Sequence, residues 1–354
     1  MGRRLFVFLL VLLASGGIAA GQDVRIGVLG LFHPRRLELR ATLTEAVVIS
    51  VSDQTFVLEP GSREAAAKIA IADDQLVVVM DGREVRARKL HAAGRMGGAS
   101  FLLCVPGKIS RIYHGTLSVV VKNGELTPIV TMDLETAVAS VVQAESAPQT
   151  PLEALKAQAV VSRSYFVGGK GRHENFDFCD LAHCQVLRSP PVAGTPAARA
   201  AEETRGLVLT YHDKPFAAMF TRSCGGRTRA PAEVGLPING YPYFPVNCDH
   251  CHKNPFRWTR TVSREDAALL LAKGEAGRLA VDRRLGWNAI PSNNFSARLA
   301  GNEVILEGQG QGHGIGLCQL GAKAMAARGE TYRAILRHYF PNTEILPLSR
   351  TTDP

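Results

Sequence analysis

The sequence has no cysteine directly behind its first apolar run, no low-complexity linker, no internal repeat, and no Lys-Ser/Thr after its glycine-rich stretch. Each absence excludes something. The first rules out the usual lipoprotein anchor. The second and third rule out a beaded or solenoid chain. The fourth rules out a phosphate-binding loop. The apolar run itself, Leu5 to Ala14, is too short for a comfortable transmembrane helix. Acidic residues are also in deficit, 32 against 41 Lys and Arg, for a formal net charge of +9.

The start of the chain has the order of an export signal. Arg3 and Arg4 precede the apolar run, and small residues ending in Ala20 follow it, so cleavage is expected after Ala20 and the rest of the chain outside the cytoplasm. An uncleaved anchor is the alternative, and it leaves the remaining chain on the same side. Nucleic acid is then excluded as a partner, and an anionic polymer or envelope surface suits the basic charge. With 46% hydrophobic and 21% charged residues, the 354-residue chain is globular and long enough for one large domain or two ordinary ones.

Residues 24 to about 130 read as β-rich. VRIGVLGL, LVVVMDG, LSVVVKNG and TPIVTM are apolar or alternating runs, two of them ending in Asp-Gly or Asn-Gly turns. AAAKIAIA is ambiguous between helix and strand. Helical signals begin at Asp133, a cap for LETAVASVVQAE. Thr150-Pro151-Leu152-Glu153 has the order of a capping box with Pro at the first helical position. A short helix is expected over 196–205, a hairpin turning at His212 to Pro215, a helix capped by Ser263, a strand NEVILEG, and two helices split at Gly329 and ended by Pro341. The fold expected is α+β: a β-rich part over 21–109, a mixed helix and strand catalytic domain with a substrate groove over 110–346, and a tail over 347–354.

Several residues stand out against this pattern. At helical spacing Leu134, Val138, Val141 and Glu145 share one face, which places a carboxylate in an apolar stripe. Burial raises the pKa of such a group, and a carboxyl that keeps its proton near neutral pH is a general acid. A frayed helix end before Pro148 is the bland alternative. On the next helix Lys156 and Arg163 are seven residues apart on a face with Leu152 and Phe166. Such cations either find a buried partner, Glu145 or an anionic substrate, or snorkel to water. Gly308 to Ala322, GQGQGHGIGLCQLGA, has six glycines in 15 residues together with His313, Gln309, Gln311 and Gln319, polar groups suited to sugar hydroxyls. Ser223-Cys224-Gly225-Gly226 reads alone as a turn.

Seven cysteines cannot all pair. His173, Cys179, His183 and Cys184 offer four soft ligands within 12 residues, enough for a structural tetrahedral zinc, though adjacent His183 and Cys184 do not easily ligate one ion. Cys248 and Cys251 form a second CxxC that Cys224 could join, and disulfides are the third option. No cofactor is needed for the acid chemistry.

Taken in order, VVQAESAPQTPLEALKAQAVVSRSYF, CDLAHCQVL, TRSCGGRT and GQGQGHGIGLCQLGA resemble the SpoIID/LytB family, the sporulation stage II protein D group, over about residues 110 to 346. The resemblance implies a lytic transglycosylase that cuts peptidoglycan glycan strands stripped of their stem peptides. It places the catalytic Glu on Glu145 and the following Lys and Arg on Lys156 and Arg163. It extends substrate contact to Ser223, Gly225, Gly226, Gln309, Gly312, His313 and Gln319. Some members of that family hold zinc in the segment matching His173 to Cys184. The LytB name implies a second reading, a wall-binding protein that recruits or stimulates an amidase. The family's Glu-Met-Pro reads Glu145-Ser-Ala-Pro148 here.

Overall fold

A computed structural model describes residues 22–352, apart from 63, 64, 237, 239 and 287. The expected signal segment lies outside the described residues. The chain is 28% helix and 37% strand, the mixed class expected from its sequence.

Eleven strands come first: β1 (Asp23–Gly27), β2 (Arg36–Ala41), β3 (Val47–Val51), β4 (Gln54–Leu58), β5 (Ala67–Ala72), β6 (Gln75–Met80), β7 (Arg83–Ala87), β8 (Lys89–Ala93), β9 (Ala99–Val105), β10 (Ile109–Lys122) and β11 (Glu125–Asp133). The ambiguous AAAKIAIA segment is strand β5, because Lys68 to Ala72 pair antiparallel with Gln75 to Val79. Long β10 alternates in and out, burying Tyr113, Leu117 and Val119. It changes partner along its length, pairing with β9 up to Gly115 and with β8 from Leu117. These strands form one curled sheet of 12, completed by β12 (Phe178–Cys179), which runs parallel to β1. The boundary expected at residue 110 therefore falls inside one sheet. Leu39 and Phe101 on its near side share a single core with Val141 and Phe166 on its far side.

Two helices pack behind the sheet. α1 (Leu134–Glu145) starts where expected, with the Asp133 carboxylate accepting the Glu135 and Thr136 N–H groups. α2 (Leu152–Gly168) differs in its cap: Pro151 occupies the cap position, Thr150 donates instead to the Ala147 carbonyl at 2.7 Å, and no capping box forms. Glu153 is turned away to Lys156 and to the Tyr332 N–H. The expected short helix and hairpin are α3 (Pro196–Glu203), β13 (Leu207–Tyr211) and β14 (Lys214–Pro215), followed by β15 (Phe220–Thr221) and a single turn, α4 (Asp249–Lys253).

Residues 257–309 form a small unit with its own core around Trp258, Leu270, Val281 and Leu306. It comprises β16 (Arg257–Ser263), α5 (Arg264–Leu285), β17 (Phe295–Ala300) and β18 (Glu303–Gln309), with β18 central in the three-stranded sheet. Ser263 caps α5 as expected. Gly274 breaks that helix with φ 51° and ψ −123°, a conformation open to glycine. A Cβ there would collide with the Val234 carbonyl. The chain then returns to the main core through β19 (Leu317–Cys318), α6 (Gln319–Ala327), α7 (Tyr332–Tyr339) and β20 (Glu344–Pro347), which pairs with β13. Among the described residues no helix is long and apolar enough to cross a membrane.

Candidate active site

Leu134, Val138 and Val141 of α1 are buried, and their stripe ends on Glu145, half-buried at the C-terminus of the helix. The carboxylate lines a pocket of about 250 Å³ together with Tyr165, Arg222, Arg278, His313 and Gln319. The Val186 N–H donates to Glu145 Oε1 at 2.9 Å, and Gln319 Nε2 donates to the Glu145 backbone carbonyl at 3.3 Å. Burial pushes the Glu145 carboxyl up to about 7, against the opposing pull of the Val186 N–H and the charges of Arg222 and Arg188. A group poised there can both give and take a proton near neutral pH.

His313 lines the same pocket in the opposite condition. Burial pushes its imidazole down to about 4, although nearby Glu275 and the Phe220 carbonyl pull it the other way. Nδ1 accepts the Ile315 N–H at 3.0 Å, so the proton of the neutral ring is on Nε2. Glycines 310, 312, 314 and 316 around it all take positive φ, which lets this backbone follow the pocket edge.

The structure brings together Glu145, Gly312, His313 and Gln319 from the residues expected at the site. It places the others elsewhere. Arg163 is fully buried and forked onto Glu135 at 2.8 and 2.6 Å, with further bonds to the Leu207 and Ala201 carbonyls. Lys156 pairs with Glu153 at 2.8 Å and Glu203 at 2.7 Å. Neither lines the pocket, and neither meets Glu145. In this structure both cations pin α2, Arg163 to α1 and α3 and Lys156 to α3. Ser223 is buried, with its backbone bridged to Gln311. Gly225 packs against Gln309, Gly226 approaches His252, and Gln309 lines a separate pocket beside Trp258.

Sequence reasoning missed the contribution of the small unit. The kink at Gly274 turns Glu275, Arg278 and Asp282 inward, and all three are buried. Arg278, a pocket residue, grips Glu275 with two bonds of 2.8 and 2.6 Å and Asp282 with one of 3.0 Å. Asn293 also donates to Glu275. Burial alone would raise the Glu275 carboxyl, but the Arg278 fork and Asn293 outweigh it and hold the group below the usual range. The one signal in the sequence was Glu, Arg and Asp at helical i, i+3 and i+7 spacing.

The first His/Cys cluster lies against the pocket through Cys184. Ligand atoms of His173, Cys179, His183 and Cys184 all fall within 4.8 Å of one another. His183 Nδ1 stands 3.5 Å from Cys184 Sγ and 3.8 Å from Cys179 Sγ, and His173 Nε2 is 3.4 Å from Cys184 Sγ. Tetrahedral zinc with bonds of about 2.0–2.3 Å sets edges of roughly 3.5 Å, so the donor set fits that ion, and adjacent His183 and Cys184 both reach it. The loop is anchored on each side: Asp180 accepts from the Leu29 N–H and from Arg111, and Gln185 donates to the Ser162 carbonyl.

Known proteins match this chain, and the family match includes part of the candidate site. The model of the stage II sporulation protein family matches residues 122–211, which takes in Glu145 and the His/Cys cluster. An uncharacterised protein of Brachyspira hyodysenteriae is 28% identical over 272 residues, covering 67% of this chain and 73% of that protein. Stage II sporulation protein D of Bacillus subtilis is 26% identical over 262 residues, covering 60% and 74%. The amidase enhancer of Bacillus subtilis is 24% identical over 276 residues, covering 55% of this chain and 38% of the enhancer. The family match falls on the segment that carries Glu145, and there the chain is similar to the SpoIID/LytB family.

Proposed function

We propose that this protein is an exported lytic transglycosylase of peptidoglycan, acting on glycan strands without stem peptides. Similarity to the stage II sporulation protein family and to an amidase enhancer supports a cell-wall-related role. The observation that carries the reaction is a single carboxyl raised to about 7 in a pocket of mixed polar and apolar lining. In the reaction Glu145 protonates the oxygen linking N-acetylmuramic acid to N-acetylglucosamine, and that C–O bond breaks. The C6 hydroxyl of the muramic sugar closes on the oxocarbenium-like carbon while Glu145 takes its proton back, leaving a 1,6-anhydro end. An internal trap needs no second carboxylate for a water, unlike two-carboxylate glycosidases. Glu275 is held ionised by Arg278 and so does not compete as the acid.

The pocket is a short stretch of the groove we assign to the strand. Neutral His313 and Gln319 offer polar contacts to sugar hydroxyls and acetamides. Arg222, a pocket residue whose charge acts on Glu145, takes the part of lactyl carboxylate partner that Lys156 and Arg163 leave open. Zinc in the His/Cys cluster, when bound, would brace the loop whose Val186 N–H orients Glu145. The chain's own residues handle the proton.

The test is digestion of stem-peptide-free glycan with mass spectrometry of the products. Anhydro-muramic ends from the wild type and their loss in Glu145→Gln support the reading; cleavage that survives Glu145→Gln, or that yields reducing ends only, removes it. The kinship to an amidase enhancer favours one rival. In that rival the protein binds glycan and stimulates an amidase without cutting, and Glu145→Gln changes nothing.

A further inference from the structure

A second set of sulfurs converges deeper in the main core. Cys224, Cys248, Cys251 and Cys318 are buried, and their Sγ atoms all lie within 4.8 Å of one another. Cys251 and Cys318 sulfurs are 3.5 Å apart. Four thiolates at about 2.3 Å from one zinc form a tetrahedron with edges of roughly 3.8 Å. Donors are turned toward these sulfurs. The Cys224 N–H donates to Cys318 Sγ at 3.4 Å, the Tyr339 hydroxyl donates to Cys248 Sγ at 3.3 Å, and the Ser223 hydroxyl is 3.5 Å from Cys251 Sγ. Thiols packed for shape need no such donors, whereas metal-bound thiolates keep them as outer partners. The packing is also drawn in around the cluster: a Cβ on Gly321 would overlap the Tyr339 hydroxyl and stand 2.6 Å from Cys248 Sγ.

We propose that Cys224, Cys248, Cys251 and Cys318 bind a second zinc ion, separate from the His/Cys cluster. The sulfurs close the tetrahedron and leave no position for substrate, so the ion is structural. Three of these ligands were visible as candidates in the sequence; Cys318 completes the set from inside the glycine-rich segment. The ion ties together three stretches of chain far apart in sequence. It sits two residues from Arg222 and next to Gln319, so it clamps two pocket residues from behind.

The test uses the purified full chain, with metal content by elemental analysis and zinc X-ray absorption. Two zinc ions per chain are expected, with a first shell averaging about three sulfurs and one nitrogen per ion. Cys318→Ser should lose one equivalent and leave a shell of two sulfurs and two nitrogens. Cys179→Ser should lose the other and leave an all-sulfur shell. If Cys318→Ser fails to fold, the wild-type shell decides. One zinc with two sulfurs and two nitrogens, iron in place of zinc, both ions retained in Cys318→Ser, or an intact non-reduced mass showing disulfides among these four residues would each overturn the proposal.

Discussion

Two glutamates, one lining a pocket and one behind its wall, come from different parts of the fold and end in opposite states. Glu145 comes from the main core at the end of α1, where its carboxylate accepts one backbone N–H and, among the described residues, has no cation bonded to it. Glu275 comes from the small unit, one residue behind the pocket wall, with an arginine forked across it. Burial acts on both in the same direction. The fork decides the outcome, keeping one ionised while the other retains its proton to about pH 7. The lesson is that burial makes an acid only where the fold withholds a partner.

The largest effect should come from removing the acid. Glu145→Gln keeps shape and burial, and we expect strand cleavage to fall by about 10³-fold or more with the fold intact, checked by product release and circular dichroism. Next comes the other side of the comparison. Arg278→Met leaves Glu275 buried without its fork, and we expect a loss of about 3 kcal/mol in urea unfolding. The double variant Arg278→Met/Glu275→Gln should recover much of it; no recovery would mean that Arg278 acts through packing alone.

The pH dependence follows in size. The protonated form of Glu145 is the acid, so the rate should fall about tenfold per pH unit above about 7. The sign for stability runs the same way. The folded pKa of about 7 exceeds the ordinary 4.5, so the native state binds the extra proton between those values and loses stability as pH rises through about 7. Glu145→Gln should therefore match the wild type near pH 4 and exceed it by about 1–3 kcal/mol at pH 8. The smallest change in the pH profile is expected from Arg222→Gln. Its charge lowers the Glu145 pKa, so its removal should move the alkaline limb upward by a few tenths of a pH unit. A downward shift would show that Arg222 does not act on Glu145 as a charge.

The two regions also differ in how far their sequences could be read. The main core follows local rules. Asp133 caps α1, and the apolar spacing that ends on Glu145 puts that residue where the pocket is. The His/Cys cluster lies within 12 residues and was legible for that reason. Partners distant in the chain were not. Lys156 and Arg163 share a face, as their spacing requires, but that spacing contains nothing about Glu135, 28 residues before Arg163, or Glu203. In the small unit Glu275, Arg278 and Asp282 follow the break at Gly274 and are buried, and nothing in the capped-helix pattern after Ser263 announces that break. Cys318 was hidden in the same way, 67 residues beyond Cys251 in a segment whose glycines drew attention to His313.

The most direct measurement is the titration of individual glutamate carboxyls by carbon-13 NMR, with Glu145→Gln and Glu275→Gln providing the assignments. The account predicts one carboxyl, absent from Glu145→Gln, that titrates near pH 7, and another, absent from Glu275→Gln, that remains ionised below the usual carboxylate range. A Glu145 carboxyl that titrates near 4.5 in the folded protein would contradict it.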